Sequence, residues 1–121
     1  MTGVQTCALP IFLKDTWTCI TNGVGGVFGE GIYRFDEIDV TVEHNLKREL
    51  VLTNGDPLSA KYNLYQKMRL GREGWWTEAN ILTSLRGDAE NFLLYSEMTV
   101  TENDKEVFKK EWKDTIPREG L

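Results

Sequence analysis

Between Ser59 and Leu85 two runs of alternating apolar and polar residues flank Gly71-Arg72-Glu73-Gly74, and no other stretch restricts the fold as much. In the first run Tyr62, Leu64, Met68 and Leu70 share one face and Lys61, Asn63, Lys67 and Arg69 the other. In the second, Trp75, Ala79, Ile81 and Leu85 alternate with Trp76, Glu78, Asn80 and Ser84. A period of two belongs to a strand buried on one side. Closing the glycine-flanked turn predicts a hairpin with Leu64 opposite Ile81, Leu70 opposite Trp75, Lys67 opposite Glu78 and Arg69 opposite Trp76. A one-residue slip would turn every apolar side chain to solvent, so which side chains share a face is strongly specified.

The same alternation recurs along the chain. Ile38, Val40 and Val42 oppose Glu37, Asp39, Thr41 and Glu43, and this half-buried strand ends near His44, with Asn45 to Lys47 as a turn. Glu49 to Thr53 is a further strand, closed by Asn54-Gly55-Asp56-Pro57, where Pro57 also disfavours helix at Asp56. Arg86-Gly87-Asp88 makes the next turn, a plainer role than integrin binding for that triplet. Phe92, Leu94, Met98 and Val100 then face one way along Glu90 to Thr101, and Phe108, Trp112 and Ile116 mark the inner side of a last strand. Setting Phe108 opposite Val100 needs either a five-residue loop or a bulge. A short helix over Lys105 to Lys113 is the alternative for that segment. The fold class read from this pattern is all-β: an antiparallel, jelly-roll-like β-sandwich, or a strongly curved sheet, of six to seven strands.

Composition narrows the rest. A chain of 121 residues, 40% hydrophobic with 4 Trp and net charge -5, reads as one soluble globular domain. Basic residues are scattered among more numerous acids, so no nucleic-acid partner is expected. No apolar run approaches the ~20 residues of a membrane span. Thr2 to Ile11, TGVQTCALPI, reads in one frame as a translated sequencing-library adapter. Residues 1–11 are therefore expected to be a non-native scar, which makes the chain the C-terminal fragment of something longer. A signal peptide fits less well, because no Lys or Arg precedes the short apolar stretch. Setting the scar aside leaves Cys19 as a lone core-packing thiol, consistent with a reducing, cytoplasmic location. Residues 12–30 form a glycine-rich lead-in, a loop or edge segment, and 31–121 the β domain. The lead-in matches neither GxGxxG nor the Walker pattern, since Arg34 stands where the last glycine would fall and no Gly-Lys-Ser/Thr follows.

Chemistry is sparse. His44 is the single histidine, and Ser59, Ser84 and Ser96 lack the glycine-flanked elbow of an activated serine. Asp36, Glu37, Asp39 and Glu43 lie along a solvated strand face, without EF-hand spacing. No catalytic residue, cofactor or metal is assigned, although carboxylate pairs brought together in space are invisible at this level. Tyr65, Trp76 and Tyr95 fall opposite the inward set, with Arg69 beside Trp76. These four residues are the candidate interface or sugar-binding platform, or second-layer core if both faces are covered.

From Gly31 onward, GEGIYRFDEIDVTVEH, NGDPLSAKYNLYQKMRLGREGWWTEANILTSL and EVFKKEWKDTIPREGL resemble the extreme C-terminal β region of bacterial acyl hydrolases and peptidases. That is the α/β-hydrolase group containing cocaine esterase, NonD-type hydrolases and X-prolyl dipeptidyl aminopeptidases; DPLSA, LGREGW and the closing F…W…IPR carry the resemblance. It implies a non-catalytic β domain packed on an α/β-hydrolase domain of the same polypeptide, which holds the Ser-Asp-His triad and whose cleft the β domain helps to shape. No position here matches a triad residue. The competing reading is a stand-alone carbohydrate- or lipid-binding β-sandwich.

Overall fold

A computed structural model of the protein describes residues 16–23 and 31–119, and within them every regular element is a strand. β1 (Thr16–Gly23), β2 (Gly31–Phe35), β3 (Val40–Thr53), β4 (Asp56–Arg72), β5 (Trp75–Gly87), β6 (Asn91–Glu102) and β7 (Lys105–Pro117) form one antiparallel sheet in the order β1-β3-β4-β5-β6-β7. β2 pairs with β3 beyond β1, so the two lie end to end on one side of β3. The sheet does not close into a barrel, and among the described residues strands approach only their hydrogen-bonded neighbours. The expected scar, residues 1–11, lies outside the described residues.

Short turns set the register. Two residues connect Thr53 to Asp56, Arg72 to Trp75 and Glu102 to Lys105. Asn103 and Asp104 take φ of 47° and 63°, the paired positive values of a type I′ hairpin turn, whose twist matches that of the strands. Asn103 also ties this turn to the neighbouring one: its Oδ1 accepts the Trp76 backbone N–H at 2.9 Å, and its own N–H donates to the Trp76 carbonyl at 2.8 Å. Between β5 and β6, Asp88 Oδ1 accepts the N–H groups of Glu90 (2.9 Å) and Asn91 (2.7 Å). The Glu90 bond is the largest of the influences that hold the Asp88 carboxyl below its ordinary range.

Several sequence expectations are corrected here. The β4–β5 turn is Glu73-Gly74 rather than Gly71 to Gly74, which moves the pairing by two: Leu64 faces Thr83, Lys67 faces Asn80, Arg69 faces Glu78 and Leu70 faces Thr77. An even shift leaves every side chain on its predicted face. β3 continues through Asn45, Leu46 and Lys47, so His44 is a mid-strand residue paired with Met68. Asp36 and Asp39 sit in the β2–β3 turn rather than on a strand, gathered by Arg34 at 2.9 and 2.6 Å. Lys105 to Lys113 is strand, and Phe108 pairs with Val100 because a bulge beside Val107 takes up the extra residue. Part of the glycine-rich lead-in, Thr16–Gly23, is itself an edge strand.

Candidate functional site

Residues paired across an antiparallel sheet point the same way, so the registers assign each side chain to one of two faces. One face carries Val42, His44, Leu46, Leu50, Tyr62, Leu64, Met68, Leu70, Ile81, Leu85, Leu94, Met98, Val100, Phe108, Trp112 and Ile116. A sandwich core would bury these side chains. The best covered of them are Val42 at 8% and Leu46 at 9% exposure, while Leu50, Met68 and Trp112 remain 49, 48 and 42% exposed. Among the described residues no side chain is fully buried. The inward face thus exists as a surface, and what would make it a core is a second layer that the described residues do not supply.

The opposite face is charged and grooved. Tyr65, Arg69, Trp76 and Tyr95 all lie on it, as the alternation predicts, but in two separate places. Arg69 stacks on the Trp76 ring at 4.3 Å despite the shifted register, and this pair lines a hollow of about 150 Å³ with Asn103. Tyr65 and Tyr95 line a groove of about 680 Å³ that also reaches Lys61, Ser84 and Arg86. Lys47 lies over Tyr65 at 5.5 Å and Lys113 over Tyr95 at 5.9 Å, so a cation accompanies each ring. This face is suited to water or to a polar ligand.

Two features of the groove escaped the sequence reading. Lys61 and Arg86 stand directly opposite each other, a like-charge pairing that works against the sheet, and neither enters any of the ion pairs among the described residues. Only the correct register reveals that pair. Tyr95 donates its hydroxyl to Glu97 Oε2 at 2.8 Å, and this bond, assisted by desolvation and by the charges of Glu111 and Glu97, pushes its ionisation up to about 12 from the ordinary 10.0. A raised folded-state value stabilises the sheet below pH ~10 and is lost as pH rises toward 12. Ultraviolet titration is expected to show a tyrosine step near pH 12, and Tyr95→Phe should remove it.

Among the described residues none of the three serines pairs with His44, whose register partners are Gly31 and Met68. Ser59 is occupied in the β3–β4 turn, donating to the Asp56 carbonyl at 2.6 Å, and Ser96 pairs with Thr83 at 3.1 Å. Ser84 lies on the face opposite His44. Among the described residues no group of three or more His, Cys, Asp or Glu side chains is placed to hold a metal ion. Cys19 is disulfide-bonded, which corrects its reading as a free packing thiol and removes the cysteine argument for a reducing compartment. No helix among the described residues is long and apolar enough to cross a membrane. Comparison of the chain with family models, curated proteins and solved structures finds no match.

Proposed function

We propose that this chain is a non-catalytic β domain of an acyl hydrolase or peptidase, packing its apolar face onto an α/β-hydrolase domain of the same polypeptide and helping to shape the substrate cleft there. The observation that carries the reading is the apolar face itself, on which Leu50, Met68, Leu85, Phe108, Trp112 and Ile116 are left 38 to 49% exposed. Such a surface in water is strongly unfavourable, and docking against a second layer relieves it. The resemblance of the DPLSA, LGREGW and F…W…IPR segments to the C-terminal region of the cocaine esterase and X-prolyl peptidase group names that layer. The jelly-roll-like sandwich is then completed by the parent protein, which supplies the serine, histidine and carboxylate. On this reading the docking surface is the apolar side rather than the Tyr65, Arg69, Trp76 and Tyr95 side, whose rings are accompanied by cations.

The chain should hydrolyse neither aryl esters nor Xaa-Pro amides, and a fluorophosphonate probe should label no serine in it. Serine-dependent turnover would contradict the proposal. The second reading, a carbohydrate- or lipid-binding module, draws on the Tyr65–Tyr95 groove. It gains the lead if an oligosaccharide or lipid binds the chain and Tyr95→Ala abolishes binding, or if the upstream gene encodes no hydrolase domain.

A further inference from the structure

We propose that β7 is a self-complementary edge through which two copies of this chain pair, antiparallel, into one continuous sheet. The inference stands apart from the hydrolase reading, because it uses only the open side of the last strand. β7 is 13 residues long and exposed throughout, whereas the other margin of the sheet is divided between β1, with 8 residues, and β2, with 5.

Backbone geometry restricts how two such edges can meet. Arg118 donates its N–H to the Glu90 carbonyl at 2.8 Å in the β6–β7 register, so even-numbered residues from Phe108 onward direct their backbone groups to β6. Lys109, Glu111, Lys113 and Thr115 direct theirs outward, and the Thr115 N–H is meanwhile held by Asp114 Oδ1 at 2.8 Å. An antiparallel partner must therefore set odd residues against odd ones. Pro117, which has no N–H to offer, falls on the outward series and closes the ladder.

One register among those allowed satisfies every side chain. With Trp112 opposite the partner's Trp112, Glu111 meets the partner's Lys113, Lys110 meets the partner's Asp114, and Phe108 meets the partner's Ile116, each contact occurring twice by symmetry. About eight new backbone hydrogen bonds form. Moving the register by one step in one direction sets Glu111 against Glu111 and Lys109 against Lys113; one step in the other sets Lys113 against Lys113. Both place like charges directly opposite, which is destabilising. The favoured twofold axis runs perpendicular to the sheet, so the apolar faces of the two copies lie on the same side and join. Lysines along an edge ordinarily discourage pairing with other chains. Here each of Lys110 and Lys113 has an acid waiting in the second copy, and Lys109 faces the neutral Thr115.

Sedimentation equilibrium of the full chain is expected to show a dimer. Glu111→Lys and Lys113→Glu, each placing like charges opposite one another, should raise the dissociation constant by about tenfold. The double variant Glu111→Lys/Lys113→Glu exchanges the charges without changing their sum and should return it to within about threefold of the original. Trp112→Cys should form a disulfide between copies, because facing residues of a non-hydrogen-bonded pair lie about 4.5 Å apart at Cα. A monomer at all concentrations, association indifferent to the single reversals, or a double variant no tighter than the singles would each overturn the proposal. All these side chains are exposed in the single copy, so the variants keep the sheet, and circular dichroism verifies that they do.

Discussion

Serine at Leu50, Met68 and Leu85 together is expected to abolish most binding of an apolar dye to the chain while leaving its far-ultraviolet spectrum as strand. These three side chains project from β3, β4 and β5 on the apolar face and are 49, 48 and 38% exposed. Being half in water already, they contribute only part of their transfer free energy to the sheet and hold the remainder for whatever covers them. Full burial of such a side chain is worth about 1.5–3 kcal/mol, so the portion left for docking is about 1 kcal/mol each. Under the proposed function, the triple variant should weaken docking onto the hydrolase domain by on the order of a hundredfold. Thermal release of the β domain, followed by fluorescence, measures it. An unchanged docking strength would mean that the apolar face is not the contact surface.

Gly71→Ala is expected to destabilise the sheet by at least ~3 kcal/mol, more than any surface substitution in the chain. A Cβ at this position would collide with the Trp75 carbonyl oxygen and lie 2.8 Å from both Trp76 Cα and Trp76 Cε3. Two of those three atoms are backbone, so no rotamer change relieves the clash. The Trp76 ring lies against Gly71, and Arg69 stacks on that ring. Gly74→Ala is the matched control. Gly74 has φ +80°, which an alanine resists, yet nothing lies within 4 Å of its added Cβ, so about 1 kcal/mol is expected. Denaturant unfolding of the two variants separates collision from backbone strain, and equal losses would refute the packing argument at Gly71.

That same glycine explains where the sequence misleads. Gly71 and Gly74 look alike as letters and together suggest a four-residue turn. Only Gly74 serves the turn, while Gly71 makes room for Trp76 inside the strand pair. The error moves the partners by two and leaves the faces intact, because alternation fixes parity and turn length fixes partners. Parity also placed Arg69 near Trp76, since diagonal neighbours on one face remain within reach of long side chains. The bulge beside Val107 was legible because Val100 and Phe108 both had to face inward. Thr16–Gly23 merges by composition with the glycines that follow it, although Trp17 and Cys19 alternate there with threonines and already carry a strand signal. The Lys61–Arg86 pair and the groove between Tyr65 and Tyr95 depend on the true register and on side chains from four adjacent strands. No local pattern encodes either.

From β3 to β7 each strand lies beside the next in sequence, and the connections are two or three residues long. Stability in such a meander is a sum over adjacent rungs, as in a tandem array, and no distant segment must arrive to finish an inner strand. Trimming from the C-terminal side therefore only transfers the role of border to the preceding strand. A lineage could lengthen or shorten this sheet one hairpin at a time without rebuilding what remains.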